Sequence, residues 1–207
     1  MATVLRNWSY QYQWLYDGIS RLAALAVGGE RQFHHLPLQN LMICHETKIL
    51  DLCCGSGQAT RFLVEYSHDV TGLDASPLSL GRAERNVPQA KYVEGLAQEM
   101  PLPDAQFDLV HTSVALHEMT PMVLREIIKE VYRVLKPGGI FTFVDFHKPN
   151  NFIFWPGVAL FLWLFETETA WQLLEEDLVG LLEETGFEMC EHRLYAGGSL
   201  QVIQVKK

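Results

Sequence analysis

The alternation of apolar and polar positions changes character along the chain. From Lys48 onward, short apolar runs alternate with stretches of helical spacing. Lys48–Cys53 (KILDLC) is an apolar run ending in a Cys-Gly turn, the pattern of a strand buried on both faces. Within Gln58–Tyr66, Ala59, Phe62 and Leu63 recur at helical spacing. Asp69–Asp74 (DVTGLD) reads as the next strand, and Ser76–Pro77 opens a helix, with Ser as its cap and Pro in its first turn. Ala90–Gly95 and Phe107–Val114 read as third and fourth strands. Met122–Lys136 predicts the clearest helix: positions 124, 127, 128, 131, 134 and 135 form an apolar stripe, and Arg125, Glu126, Lys129, Glu130 and Arg133 lie off it. Pro137–Gly138–Gly139 is expected to stop that helix, and Ile140–Phe146 to follow as the fifth strand. An uncharged run, Phe152–Phe165, comes next. After it lie a helix at about 174–185 ended by Gly186, and two runs, 187–195 and 199–205, that pair antiparallel around Gly197–Gly198.

Strands that alternate with helices imply an α/β architecture, a doubly wound sheet with both faces covered. The seven runs predict a mostly parallel seven-stranded sheet that closes on an antiparallel C-terminal hairpin. Residues 1–47 break the pattern. They carry Trp8, Tyr10, Tyr12, Trp14 and Tyr16, followed by an Ala/Leu-rich stretch, Ile19–Val27. The expected organisation is a helical N-terminal segment, 1–45, laid over a sheet domain, 46–207, with 148–175 as an insert that covers a substrate.

Composition narrows the function classes. The 207 residues are 48% apolar and 20% charged, enough to build a core and too apolar for disorder. The net charge of −9 and scattered Lys and Arg argue against a nucleic-acid binder, which needs cations to release counterions from phosphates. Four cysteines at irregular spacing fit a reducing, cytoplasmic setting better than a disulfide scaffold. No basic start followed by an apolar run marks a secretory signal. Residues 152–165 fall short of the ~20 apolar residues of a membrane span. A core helix, a cover over a ligand, or a surface in peripheral contact with lipid are the uses such a run allows.

Ile49–Gln58 (ILDLCCGSGQ) carries the strongest chemical signal. Open α/β sheets bind ligands beyond the carboxyl ends of their strands, and Gly55 and Gly57 let backbone approach a ligand there. Asp51, just before the turn, offers a carboxylate to a cationic or donor-rich group. Asp74 ends the following strand, where an acidic residue can accept hydrogen bonds from ribose hydroxyls. A dinucleotide turn would want a third glycine where Thr60 stands, and a P-loop would want Gly-Lys-Ser/Thr, which is absent. The turn therefore suits a nucleoside ligand with a positively charged tail.

D-x-C-x-G-x-G followed by GLDAS resembles the S-adenosylmethionine site of class I methyltransferases. EGLAQEMPLPDAQFDLV (94–110) and RVLKPGGIFTFVDF (133–146) extend the likeness, which is to the small-molecule branch and particularly to the ubiquinone/menaquinone C-methyltransferases. The resemblance implies a Rossmann-like sheet, S-adenosyl-L-methionine as methyl donor with S-adenosyl-L-homocysteine as product, and no metal. It implies that Cys53, Ser56, Ala75 and Ser113 join Asp51, Gly55, Gly57 and Asp74 around the donor, that Ala97 and Gln98 meet the adenine, and that Tyr16 closes over it. Cys53 stands in place of the motif's first glycine, and Leu96 where relatives often carry an Asp. At the fifth strand Asp145 keeps the acidic residue of the quinone-methylating group, and His147 replaces its Ser.

His117, after the fourth strand, is the candidate base, since its ordinary pKa lies near neutrality; capping the next segment is its structural alternative. His34, His35 and His45 read as surface or linker histidines. Adjacent Cys53 and Cys54 read as packing, with no second pair at zinc spacing. The expected activity is methyl transfer to a small, hydrophobic acceptor. A non-catalytic module that keeps the donor pocket is the alternative, and a nicotinamide oxidoreductase ranks third.

Overall fold

A computed structural model describes residues 27–165 and 167–207. Its centre is one seven-stranded sheet: β1 (Lys48–Leu52), β2 (Asp69–Asp74), β3 (Lys91–Glu94), β4 (Phe107–Ser113), β5 (Leu135–Phe146), β6 (Glu188–Tyr195) and β7 (Leu200–Lys206). The order across the sheet is β3-β2-β1-β4-β5-β7-β6. β1 to β5 run parallel, and β7 enters antiparallel between β5 and β6. This is the mostly parallel sheet with an antiparallel end that the pattern predicts.

Alternation along β1 assigns the two faces. Leu50 and Leu52 enter the main core with Val110, Phe141 and Phe143, which α4 (Pro121–Val134) and α7 (Leu178–Thr185) cover. Ile49 points to the other face, into a smaller cluster with Leu38, Leu63, Val70 and Leu109. There α1 (Glu30–His35), a 3-10 turn (Leu36–Leu38) and α2 (Thr60–Leu63) lie over the sheet. The carbonyl of Pro37 accepts bonds from Thr142 and Gln204, and so satisfies two polar side chains buried on that face. Unmade, each would cost about 1–3 kcal/mol.

Helix starts follow their caps. Ser76 accepts from the Ser79 N–H to open α3 (Pro77–Asn86), with Pro at the first turn as expected. Thr120 does the same for α4 and Asp177 for α7, and Gly186 ends α7 in the left-handed region (φ 106°). Several boundaries differ from expectation. α4 ends at Val134, ahead of Pro137–Gly138–Gly139, and passes straight into β5. The Pro-Gly-Gly stretch lies within that strand because the Gly138 N–H bonds the Lys207 carbonyl and the Lys207 N–H bonds that of Gly139. The helix expected over 58–66 is the single turn α2, and the one at 174–185 starts only at Leu178, behind a separate α6 (Glu168–Leu173).

α5 (Trp155–Phe165) occupies the uncharged run. It buries Leu162 beside Ala170 and Leu174, with Phe146, Trp155, Val158, Phe161 and Trp171 packed around them. It leaves Leu160 and Trp163 exposed, next to exposed Phe152, Ile153 and Phe154. The expected helix Ile19–Val27 lies outside the described residues but for Val27, and so does most of the expected 1–45 cover, including Trp8, Tyr10, Tyr12, Trp14 and Tyr16.

Candidate active site at the carboxyl ends of the strands

β1 ends at Leu52, one residue earlier than the sequence suggested. Cys53 therefore leaves the strand in the left-handed region (φ 57°), followed by Gly55 (φ 55°) and Gly57 (φ 86°). The two glycines serve different ends. A Cβ on Gly57 would press on Val87, just past the end of α3, whereas one on Gly55 would meet nothing within 4 Å. Gly55 thus presents bare backbone to open space, and its carboxylate partner is close: the Gly55 N–H donates to Asp74 Oδ2 at 2.9 Å and the Ser76 N–H to Asp74 Oδ1 at 2.9 Å. Asp74 is half-buried at the end of β2, and each of its oxygens keeps a lone pair for a further donor. Ser56 is half-buried, its carbonyl accepting from Asn86, and Ala75 is exposed beside the turn.

Asp51 is placed differently from Asp74. Its side chain is 1% exposed, and its oxygens are engaged by the Thr60 hydroxyl at 2.6 Å and by His111 Nδ1 at 3.1 Å. Asp51 and His111 are cross-strand partners in the register of β1 and β4. Thr60, at the position of a dinucleotide motif's third glycine, thus has a task of its own, since its hydroxyl satisfies a buried carboxylate. Sequence reasoning missed His111 and Thr60. A His inside the apolar run FDLVHTSV was the available signal, because a buried polar group needs a partner.

Asp51, Asp74, Glu118 and Asp145 all act electrostatically on Cys53. Removal from water first, and then these four carboxylates in the order Asp74, Glu118, Asp51 and Asp145, push the Cys53 thiol up to about 12. Carboxylates from β1, β2, β5 and the turn beyond β4 therefore converge on the first residue of the glycine turn. Such a field favours a cationic ligand.

His117 sits in a 3-10 turn (Leu116–Glu118) just beyond β4 and is buried. Its Nδ1 lies 2.8 Å from Oδ1 of Asp145, near the end of β5. Asp145 is fully buried and also accepts the N–H groups of Leu116, His117 and Phe146. Pairing over 28 residues was invisible in sequence spacing. The ring of Phe146 stands 4.6 Å from that of His117 and 5.8 Å from that of Phe161 in α5, so the apolar insert begins where the His–Asp pair ends. His147 is turned away, its Nδ1 2.8 Å from the Gly198 carbonyl.

Ala97 is buried and Gln98 half-buried on the loop after β3, and Leu96 is exposed. Arg133 of α4 fixes that loop by donating to the carbonyls of Leu102 and Met100, while Glu130 accepts the Met100 N–H. Ser113 ends β4 half-buried. Tyr16 lies outside the described residues. One expectation is corrected: His34 is no surface histidine. It is buried, its ring stacked on Phe62 at 5.0 Å, and burial, with His111 and Arg61 nearby, lowers its pKa to about 3. A cavity of about 530 Å³ lined by Leu41, Ile43, Asp108, Lys136 and Ile140 lies at the amino ends of the strands. That is the wrong end of an open α/β sheet for ligand binding. No group of His, Cys, Asp and Glu among the described residues could hold a metal ion.

Residues 49–139 match a family model described as a methyltransferase domain. The chain is 62% identical over 206 residues to an uncharacterized methyltransferase of Synechocystis, covering all of this chain and 97% of that protein. It is 27% identical over 187 residues to a demethylmenaquinone methyltransferase of Lysinibacillus sphaericus, covering 78% of this chain and 79% of that one. Among solved structures, an S-adenosylmethionine-dependent methyltransferase from Mesorhizobium loti superposes with a TM-score of 0.64 at 19% identity, covering 86% of this chain and all of that one.

Proposed function

The chain belongs to the class I S-adenosylmethionine-dependent methyltransferases, and from that premise we propose that it methylates a small, apolar acceptor held beneath the 148–175 insert. The observation that carries this reading is the aromatic step from His117 through Phe146 to Phe161, which brings the apolar cover to the ends of β4 and β5.

The residues present fit the donor. Gly55 offers backbone that no side chain obstructs, Asp74 retains lone pairs suited to ribose hydroxyls, and four carboxylates converge on Cys53. When bound, S-adenosylmethionine supplies an activated methyl on a positively charged sulfur. Asp74 with Ala75 would hold the ribose, and Ala97 and Gln98 the adenine. The Cys53–Gly57 turn with Ser56 would hold the amino-acid end, and Ser113 would flank it. Asp51 serves that end through charge and by anchoring Thr60, since its oxygens are already engaged. Tyr16 and the N-terminal segment would close over the donor.

The chain's share of catalysis is then orientation and dryness. Holding two reactants in line can supply ~7–11 kcal/mol of a barrier, and the insert keeps water from the acceptor. A quinol-type ring is the finer form of the acceptor, which the name of the Lysinibacillus relative supports. No helix among the described residues is long and apolar enough to cross a membrane; eleven residues of α5 reach only ~16 Å. Its exposed Leu160 and Trp163 are proposed instead to touch lipid, from which an apolar acceptor would be drawn.

Calorimetry with S-adenosylhomocysteine tests the donor site. The wild type is expected to bind, and Asp74→Ala to weaken binding by at least about tenfold for each lost hydroxyl bond. Methyl-labelled S-adenosylmethionine with cell extract is expected to label the lipid fraction. Label confined to protein or RNA would refute the acceptor class.

A further inference from the structure

We propose that His34 is a positioning residue for the methyl donor. It acts through His111 on Asp51, so that the donor turn is complete only while the strap of residues 34–39 is seated on the sheet. This role rests on the donor-site reading and deepens it, by naming what controls that site from behind.

A row of polar side chains crosses the sheet under the strap. Asp51 of β1 is the register partner of His111 of β4, His111 of Thr142 of β5, and Thr142 of Gln204 of β7. Direct cross-strand partners share a face, and all four residues are buried there. The strap passes over the row. Leu36 packs with Val144 and Val202 on one side of it, and Leu38 with Ile49 and Leu109 on the other. Between them the Pro37 carbonyl accepts from Thr142 and Gln204, and Gln204 also donates to the carbonyl of Gln39.

The remaining two members of the row lead to His34. Asp51 accepts from the Thr60 hydroxyl on one oxygen and from His111 Nδ1 on the other. A carboxylate only accepts, so Nδ1 carries the proton and the lone pair of the neutral ring falls on Nε2. That nitrogen is buried with no partner among the described residues, and so is Nδ1 of His34 in α1. Buried polar atoms are rarely left so. Burial first, then His111 and Arg61 nearby, keep the His34 ring neutral, with a pKa of about 3. Its Nδ1–H supplies the donor that His111 Nε2 lacks, and one enclosed water between the two rings satisfies both.

The line then runs from His34 through His111 and Asp51 to Thr60. Thr60 opens α2 directly behind the glycine turn, where the Gly57 carbonyl accepts the Arg61 N–H. Arg61 reaches back to Glu30 of α1. α1 and the glycine turn are thus joined twice, once through the sheet and once above it. A stabilising role alone explains less, because apolar side chains in the row would hold the strap without burying a carboxylate and an imidazole. By linkage, whatever affinity a seated strap lends the donor, a bound donor lends to the seating of the strap.

The test uses the full chain and S-adenosylhomocysteine. In the wild type, binding should slow hydrogen exchange at the amides of residues 33–41 by about fivefold or more. Unchanged exchange in a protein that binds would overturn the proposal. His34→Leu keeps a buried apolar side chain in place of the ring, and should leave the urea midpoint unchanged or raised while weakening S-adenosylhomocysteine about 5–20-fold. His34→Asn, which keeps an N–H near the position of Nδ1, should recover most of that affinity. His111→Asn keeps the donor to Asp51 and lacks the Nε2 acceptor, so His34→Leu in that background should add no further loss. Full affinity in His34→Leu, a loss that tracks a fall in the urea midpoint, or no recovery in His34→Asn would overturn the positioning role. Additive losses would overturn its route through His111. A wild type that does not bind S-adenosylhomocysteine would overturn the donor-site reading, and this proposal with it.

Discussion

Two helices of similar length, α4 and α5, use apolar residues in opposite ways. α4 keeps them in a stripe: Leu124, Ile127, Ile128, Val131 and Val134 are all buried on the sheet, while Arg125, Glu126 and Lys129 face water. α5 is apolar on every side, so burying Leu162 still leaves Leu160 and Trp163 (66% exposed) in solvent. A helix that serves only the core needs one apolar face. The surplus on α5 therefore answers to something other than folding, and the apolar acceptor and lipid contact proposed above supply the reason.

The largest test of the difference lies in α4. Ile128→Ala removes a buried side chain from a closely packed site and should cost about 2–5 kcal/mol, read as a fall in the urea midpoint with the slope unchanged. A smaller effect tests α4's polar face. Hydrogen bonds from Arg133 hold the Glu130 carboxyl below its ordinary range. A lowered folded-state value means that the pair's stabilisation is present above the unfolded-state pKa near 4.3 and disappears as pH falls through the folded one. For a partly exposed pair this amounts to less than about 1 kcal/mol. Unfolding curves from pH 7 to 3 should show that loss in the wild type and not in Glu130→Gln. The smallest effect on stability should come from α5. Leu160→Ser with Trp163→Ser should leave the urea midpoint within about 0.5 kcal/mol, yet reduce partition into phospholipid vesicles. A large loss of stability there would erase the distinction between the two helices.

Where local chemistry governs, the fold was legible. β2 and the Ser76–Pro77 helix start match because a cap and a fixed proline φ act within three residues. The end of α4 was misread because Pro137–Gly138–Gly139 is a breaker in isolation and a strand segment beside Lys207, 68 residues on. At the candidate site the same divide holds. The glycine turn and Asp74 announce themselves in one continuous motif, whereas Asp145, the partner of His117, and His111, a partner of Asp51, come from strands that only the finished sheet brings together. His34 shows the converse: it was read with exposed His35 as a surface residue although Phe33, Leu36 and Leu38 flank it, and Phe62 supplies the stacking surface from a distant segment.

The lifted thiol of Cys53 has a consequence for reactivity. Burial and the surrounding carboxylates push that thiol up to about 12, so it stays protonated at pH 7, and the thiolate is the form that oxidants and alkylating reagents attack. Cys54 is buried and shifted in the same direction, whereas Cys44 and Cys190 are exposed. A maleimide or a mild peroxide will therefore modify the outer surface of the protein and pass over the turn. The two cysteines of the candidate site's glycine turn are thus the least available of the four to such reagents.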